Sequence, residues 1–363
     1  MNLKDIISKT IKDEKKPIGF DVFMNLALYH SKYGYYRSNK IIFGRHGDFI
    51  TSPETSDLFG YTLAKQCKKI LNNGDILEFG AGSGVLAAQV LFELGRLDSL
   101  PNKYYIIELS SQLKNRQMET IKNVLPEILN RVEWLTEFPK NFKGVILANE
   151  VLDAMPAKRI TFSKGCFVEL GVGFRDGNFL WEKFSNPFDA SLVTLPDISQ
   201  EGFTTEINIQ SNAWVKSLYE QISEGTILLI DYGMNRSDYY HPQRSDGTLK
   251  CFFNHQASND PFCNVGEQDI TTSVNFSDIA ESAVEVGFQV AGYCTQSMFL
   301  ISLGIEKYLS SEKNSNTRIK LAQEVKQLVM PGAMGEVFKV MALSKKQPLK
   351  LDGFNEQNLI NKL

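Results

Sequence analysis

Acidic side chains at the ends of apolar runs are the first candidates for chemistry in this 363-residue chain. Ile76-Leu77-Glu78-Phe79 is a short apolar run carrying an acid, and Gly80, Gly82 and Gly84 follow at every second position. Val85-Leu86-Ala87-Ala88 then opens a helical pattern. This spells a strand, a tight turn and a helix. Glycines accept positive φ and let a ligand approach the backbone closely. The helix behind them points its free N–H groups into the turn. A dinucleotide site spaces its glycines as G-x-G-x-x-G to seat a pyrophosphate. Here the pattern is acid-x-G-x-G-x-G, and Glu78 would repel a phosphate while suiting a cation. The same turn can also form with no ligand to serve.

S-adenosylmethionine carries an ammonium and a sulfonium and has no phosphate, and the 78–84 pattern resembles the first motif of Rossmann-like methyltransferases. Glu108 stands 24 residues after Gly84, at the tip of a second apolar run. An acid there can accept both hydroxyls of a ribose, in a dinucleotide site as well as in this one, or it is simply a surface acid at a strand end. Asn149-Glu150-Val151-Leu152-Asp153 follows a third apolar run. Its carboxylates can hold an amine, or a guanidinium bidentately, localising the lone pair on one nitrogen. Methyl transfer then needs in-line placement more than a strong base. The segment reads equally well as a helix N-terminus with an Asn cap. His30, His46, His241 and His255 are scattered and carry no acid–base duty in this reading.

Composition excludes several classes. Lys and Arg number 39 against 42 Asp and Glu, a net charge of −3, which speaks against a nucleic-acid surface or a polybasic membrane anchor. No apolar run reaches membrane-spanning length, so no membrane insertion is expected. The five cysteines form no C-x-x-C pair, and a reducing compartment is expected rather than a disulfide framework. No metal site is expected, since the histidines do not stand at ligand spacing with them. The N-terminus mixes acids with its lysines and has no apolar core, which suggests a cytoplasmic protein or the mature form of an organellar one.

The elements that must position these residues alternate. Strands are expected at 76–79, 104–108, 132–135, 145–150 and 226–231, with helices at 84–95 and 110–123 between the first of them. Near-continuous apolar strands fit a parallel sheet covered on both faces, with ligands beyond the carboxyl ends. A helix is expected from Thr51-Ser52-Pro53-Glu54 to about Leu71, with the hydroxyl as cap and proline early in the first turn. Residues 158–184 read as a β-meander with turns at 163–165 and 175–178. After it a loop leads to Glu206, and 233–275 is a second long stretch with little period. The pattern then resumes, ending in a strand at 336–343.

Together, Gly47-Asp48-Phe49-Ile50-Thr51-Ser52-Pro53-Glu54, Leu77–Gly84, Asn149–Pro156, Tyr239–Leu249 and Gln268–Thr271 resemble the MidA family of S-adenosylmethionine-dependent methyltransferases. The resemblance covers nearly the whole chain. It implies an α/β fold with a Rossmann-like, seven-stranded methyltransferase sheet, an N-terminal helical extension and an inserted β-meander and helical subdomain. The expected divisions are 1–74, a core of 75–157 and 224–344, an insertion at 158–223 and a tail at 345–363. It implies that Glu78, Gly80, Ala81, Gly82, Gly84, Glu108, Leu109, Thr51 and Pro53 bind S-adenosyl-L-methionine. Glu150, Asn149, Asp153 and Glu206 are the expected catalytic set. Gly47, Asp48, Phe49, Glu54, Tyr240 and His241 are the expected substrate contacts. Mitochondrial members methylate arginine and serve assembly of respiratory complex I, so a protein partner is expected and a homodimer stays open. A non-catalytic assembly factor and a small-molecule methyltransferase are the competing readings. An NAD-type oxidoreductase conflicts with Glu78 and with the glycine spacing.

Overall fold

The structure is a computed structural model that describes residues 2–37, 47–48, 50–191, 193–346 and 350–363. Phe49 and the stretch through His46 lie outside the described residues. In chain order, α1 (Leu3–Glu14) and α2 (Phe20–Tyr29) come first, then a short α3 (Ser52–Thr55) and α4 (Asp57–Leu71). An alternating run follows: β1 (Asp75–Phe79), α5 (Val85–Arg96), β2 (Tyr104–Ile107), α6 (Ser111–Val124), β3 (Val132–Leu135) and β4 (Phe142–Asn149). Next are β5 (Lys158–Ser163), β6 (Cys166–Arg175), β7 (Asn178–Pro187), β8 (Thr204–Ile207), α7 (Ile209–Gln221) and β9 (Ile222–Met234). Shorter pieces succeed them: α8 (Arg236–Tyr239), β10 (Lys250–Phe253), β11 (Gln256–Ser258), β12 (Asp269–Thr271) and β13 (Val274–Asn275). The chain closes with α9 (Phe276–Val286), β14 (Gln289–Thr295), α10 (Gln296–Ser302), α11 (Glu306–Ser311), α12 (Ser315–Val329), α13 (Met334–Val337) and β15 (Phe338–Lys345). No helix among the described residues is long and apolar enough to cross a membrane.

Two compact units share the chain. One comprises Met1–Phe49, Leu152–Trp214 and Met234–Ile279; the other Ile50–Val151, Val215–Gly233 and Ala280–Leu363. The second unit holds the mostly parallel sheet. Its strands run in the order β14-β15-β9-β4-β1-β2-β3. β9, β4, β1, β2 and β3 are parallel, and β15 runs antiparallel to both its neighbours. Alternate residues Ile76, Ile106, Val145, Leu147, Leu228, Ile230 and Val340 join Leu63 and Cys67 of α4 and Ala87, Val90 and Leu94 of α5 in one buried cluster. That is the period-2 pattern a covered strand must have. Each large aliphatic side chain buried there stabilises the fold by about 1.5–3 kcal/mol.

The first unit is largely antiparallel. Its sheets run β7-β6-β5-β8 and β11-β10-β12. The expected meander is present. Asp176 and Gly177, with φ of 50° and 80°, form its second turn, where only residues tolerant of positive φ let the strands keep their twist. Phe20, Phe23 and Met24 of α2 pack with Val172, Phe179, Cys251 and Ile270. Phe23 meets the rings of Phe179 and Phe262 edge-on, each at 5.5 Å.

Three expectations change. The expected loop ends at Phe203, and Glu206 itself lies on strand β8, paired with β5 through Arg159↔Glu206. The stretch 233–275 holds α8 and a small sheet, whose strands of three or four residues are too short to show a period. The helix expected from Thr51 breaks at Ser56, which is extended at φ −159° and ψ 139°. The Thr51 hydroxyl makes no cap bond, whereas Ser56 Oγ accepts from Leu58 N–H at 3.4 Å and donates to Glu324 at 2.9 Å. Ser56→Ala should therefore cost about 1 kcal/mol in urea unfolding, while Thr51→Ala stays within about 0.5 kcal/mol. The reverse order would restore Thr51 as the cap.

Candidate active site

β1 lies between β2 and β4, and the chain leaves it toward β2 before returning to the opposite side as β4. This is a topological switch point, where a crevice opens beyond the strand ends. Glu78 is in register with Ile106 on β2 and Leu147 on β4. The turn behind it is built as its glycines require. Gly80, Gly82 and Gly84 have φ of 61°, 51° and 84°. A Cβ on Gly84 would also come within 2.8 Å of Gln117 Cα. Ala81 turns its methyl into the core, so only its backbone is offered to a ligand.

Glu78 is 2% exposed, and its Oε2 accepts from the Tyr104 hydroxyl at 2.6 Å. Burial raises its carboxyl to about 7 against the lowering effect of that hydrogen bond. Glu108 is held on both oxygens. Ser110 N–H donates to Oε1 at 2.7 Å and Gln117 Nε2 to Oε2 at 3.0 Å. Gln117 Nε2 also donates to Gly82 O at 3.1 Å, and Trp134 Nε1 donates to Gln117 Oε1 at 2.9 Å. Leu109, beside Glu108, is 61% exposed. The sequence gives no sign of Gln117 or Trp134, because one amide among the polar residues of α6 breaks no pattern.

The segment before α4 joins the turn. Glu54 accepts from the Ser83 hydroxyl, and Gln89 Nε2 donates to Pro53 O at 2.9 Å and to Asp57 at 3.0 Å. Ser52 donates to the buried Gln296 on α10 at 3.0 Å. Thr51, Pro53 and Glu54 thus lie by the glycine turn, and Glu54, expected at the substrate, has its carboxylate on the turn itself.

At the end of β4 no helix follows, so the Asn-cap reading of Asn149 does not apply. Glu150 stands instead in the left-handed region at φ 54°, which strains a residue with a side chain. Its N–H donates to Ile230 O at 2.8 Å. The buried Asp231 carboxylate accepts from Val151 N–H at 3.2 Å and from Tyr232 N–H at 2.9 Å, pinning the corner from β9. Asn149 Nδ2 donates to Glu150 Oε1 at 3.1 Å, and Asn149 Oδ1 is buried without a hydrogen-bond partner among the described residues. Such an acceptor can take a donor from water or from a bound molecule.

The remaining candidates belong to the first unit. Asp48, next to the buried Gly47, accepts from Tyr35 at 2.8 Å and from Asn254 N–H at 2.7 Å. Asp153 is buried, and its carbonyl accepts from Thr272 N–H at 2.9 Å. Glu206 is buried, accepting from Thr248 N–H at 2.7 Å and Thr248 Oγ1 at 2.9 Å, with Arg159 Nε at 3.5 Å. Burial raises its carboxyl against the pull of Arg159. Tyr240 is buried in the small cluster with Tyr239 and Phe203, whereas His241 is exposed, its Nδ1 accepting from Gln243 N–H at 3.3 Å.

The left-handed corner makes a measurable claim. Glu150→Gly should be more stable than Glu150→Ala by about 1 kcal/mol, because only alanine keeps the strain. Equal denaturation midpoints for the two variants would contradict a left-handed backbone there.

The site fits S-adenosylmethionine on its own chemistry. The turn from Phe79 to Gly84 offers no basic side chain to a phosphate, acids stand at the tips of β1 and β2, and Asn149 presents an unmet acceptor. Comparison with known proteins agrees. Residues 58–294 match the model of a family described as S-adenosyl-L-methionine-dependent methyltransferases. The mitochondrial protein arginine methyltransferase NDUFAF7 of Danio rerio is 27% identical, the match covering 94% of this chain and 86% of the relative. Its Homo sapiens counterpart is 25% identical, covering 92% and 81%. A Burkholderia thailandensis protein crystallised with S-adenosyl-homocysteine has a TM-score of 0.94 and 35% identity, covering 99% of this chain and 96% of that one. The chain belongs to the family of S-adenosyl-L-methionine-dependent methyltransferases.

Proposed function

We propose that this enzyme methylates an arginine guanidinium on a protein partner, with Glu150 as the residue that orients it. The observation that carries this reading is the corner at Asn149 and Glu150. A carboxylate on a strained backbone, fixed from β9 by Ile230 and Asp231, stands at the switch point of the sheet. Strain of this kind persists where surrounding structure imposes it, and it clusters at reaction centres. Relatives named as protein arginine methyltransferases support the substrate class. S-adenosylmethionine supplies an electrophilic methyl on its sulfonium. The chain's part is to bind, orient and exclude water. Glu150 accepts two guanidinium N–H groups and holds one nitrogen with its lone pair forward. Asn149 steadies that carboxylate. Glu206, engaged with Thr248 and Arg159, suits a role in holding the segment around Thr248 in place. Glu78 faces the ammonium end of the cofactor and Glu108 the ribose. The family resemblance points to a respiratory complex I subunit as partner. Five free cysteines fit a reducing compartment, the cytoplasm or an organelle matrix.

Incubation with radiolabelled S-adenosylmethionine and a lysate tests the substrate class. Label should enter a protein band and be recovered as methylarginine. Glu150→Gln should lower the rate about a hundredfold or more with cofactor affinity unchanged. Label confined to small molecules, or full turnover by the Gln variant, would overturn the proposal.

Glu78 gives the cofactor site a pH dependence. Its carboxyl is raised, so its contribution to stability is present below its ordinary value of 4.5 and is lost as pH rises through about 7. A cation bound beside it favours the ionised form, and binding below that pH must release a proton. Calorimetric affinity for S-adenosylmethionine should rise with pH by up to about tenfold per unit until about pH 7, then level off. Glu78→Gln should flatten the profile, and a flat wild-type profile would separate Glu78 from the cation.

A further inference from the structure

We infer that Gln117 is the positioning residue that aims the Glu108 carboxylate at the cofactor's ribose and so sets the enzyme's preference for a ribose over a 2′-deoxyribose. This rests on the reading above that Glu108 receives the ribose hydroxyls. Gln117 is fully buried on α6, although its helix is mostly polar, and only Ile121 is buried with it. Its amide orientation is dictated by chemistry. The Trp134 indole N–H is a donor only, so the group 2.9 Å from it must be the carbonyl oxygen Oε1. Nε2 therefore faces the other way, toward two acceptors. One is Gly82 O at 3.1 Å, inside the glycine turn, and the other is Glu108 Oε2 at 3.0 Å. A single side chain thus ties the turn to the carboxylate, with Trp134 of β3 as its brace.

The backbone of Gln117 is equally committed. Gly84, where the turn enters α5, comes so close that a Cβ would sit 2.8 Å from Gln117 Cα and 3.1 Å from its carbonyl oxygen. α6 and the turn are therefore in register at this residue, and its side chain starts from a fixed point. Ser110 N–H anchors the other Glu108 oxygen at 2.7 Å. With a protein donor on each oxygen, the plane of the carboxylate is set before any ligand arrives. A pre-aimed carboxylate rewards a vicinal diol, which matches both its oxygens, and gains less from a sugar with one hydroxyl.

The test compares binding of S-adenosyl-homocysteine with that of its 2′-deoxyadenosyl analogue by calorimetry. Wild type should prefer the ribose form by about tenfold or more. Gln117→Met, close in volume, should weaken the ribose ligand about tenfold while leaving the deoxy analogue within about twofold, so that the preference collapses. Trp134→Phe should move the same ratio in the same direction by a smaller factor, and it serves as the readout if the Met variant does not fold. Glu108→Ala separates the two layers. If it leaves the ribose preference intact, Glu108 does not hold the ribose, and the inference falls with that reading. If it removes the preference while Gln117→Met retains it, or weakens both ligands equally, Gln117 is only structural and this inference alone fails.

Discussion

β1 is hydrogen-bonded along its length by parallel strands on both sides, and the site depends on that constraint. A parallel pair cannot be joined by a tight turn, so the chain must leave each strand at its carboxyl end and cross over, through α5 after β1 and α6 after β2. Every crossover of the second unit therefore begins at the same rim. The acids of β1 and β2 and the corner of β4 meet there because the register allows no other place. The glycine turn, the Glu108 carboxylate and the Glu150 corner are three chain exits from one sheet, each shaped differently.

The fold was legible where its physics is local. Glu78 before alternating glycines, apolar runs of strand length and the positive-φ pair Asp176-Gly177 each leave a mark on neighbouring residues. The less legible features are those in which the decisive partner is distant in sequence. Thr51-Ser52-Pro53-Glu54 has every local mark of a long helix start, yet Ser56 breaks it, bonding to Glu324 and capping α4. Asn149 looked equally like a cap until the chain beyond it proved irregular. Asp231 reads as the polar end of a strand, and only the structure shows it accepting the Val151 N–H. Gln117 is the extreme case, with its three partners on the turn, the tip of β2 and β3.

Buried acids serve differently in the two units. In the first, Asp48 and Asp269 accept from Tyr35 and Tyr36 at 2.8 and 2.9 Å. Burial raises Asp269 to about 7, countered by Tyr36 and the Ile270 N–H. Arg159, stacked 4.6 Å over Trp181, joins Glu206 and Asp246. A buried pair such as Arg159 and Glu206 adds little net stability over well-packed apolar groups, but losing one partner is costly, so it specifies arrangement. In the second unit Glu78 and Glu108 stand instead at the ends of β1 and β2.

The position of β15 has a consequence for synthesis. It is among the last elements of the chain, yet it lies between β14 and β9. Gln296, Glu324 and Met334, which hold the segment beside the glycine turn, also come late. While the chain emerges from the ribosome, the strands that carry Glu78 and Glu108 are made early but have an unfinished sheet on one side. An exposed β9 edge persists until residues 338–345 emerge and insert. Nascent chains of this fold are thus exposed to edge-to-edge association while the residues between β9 and β15 are being made, and the segment beside the glycine turn is held in place only late.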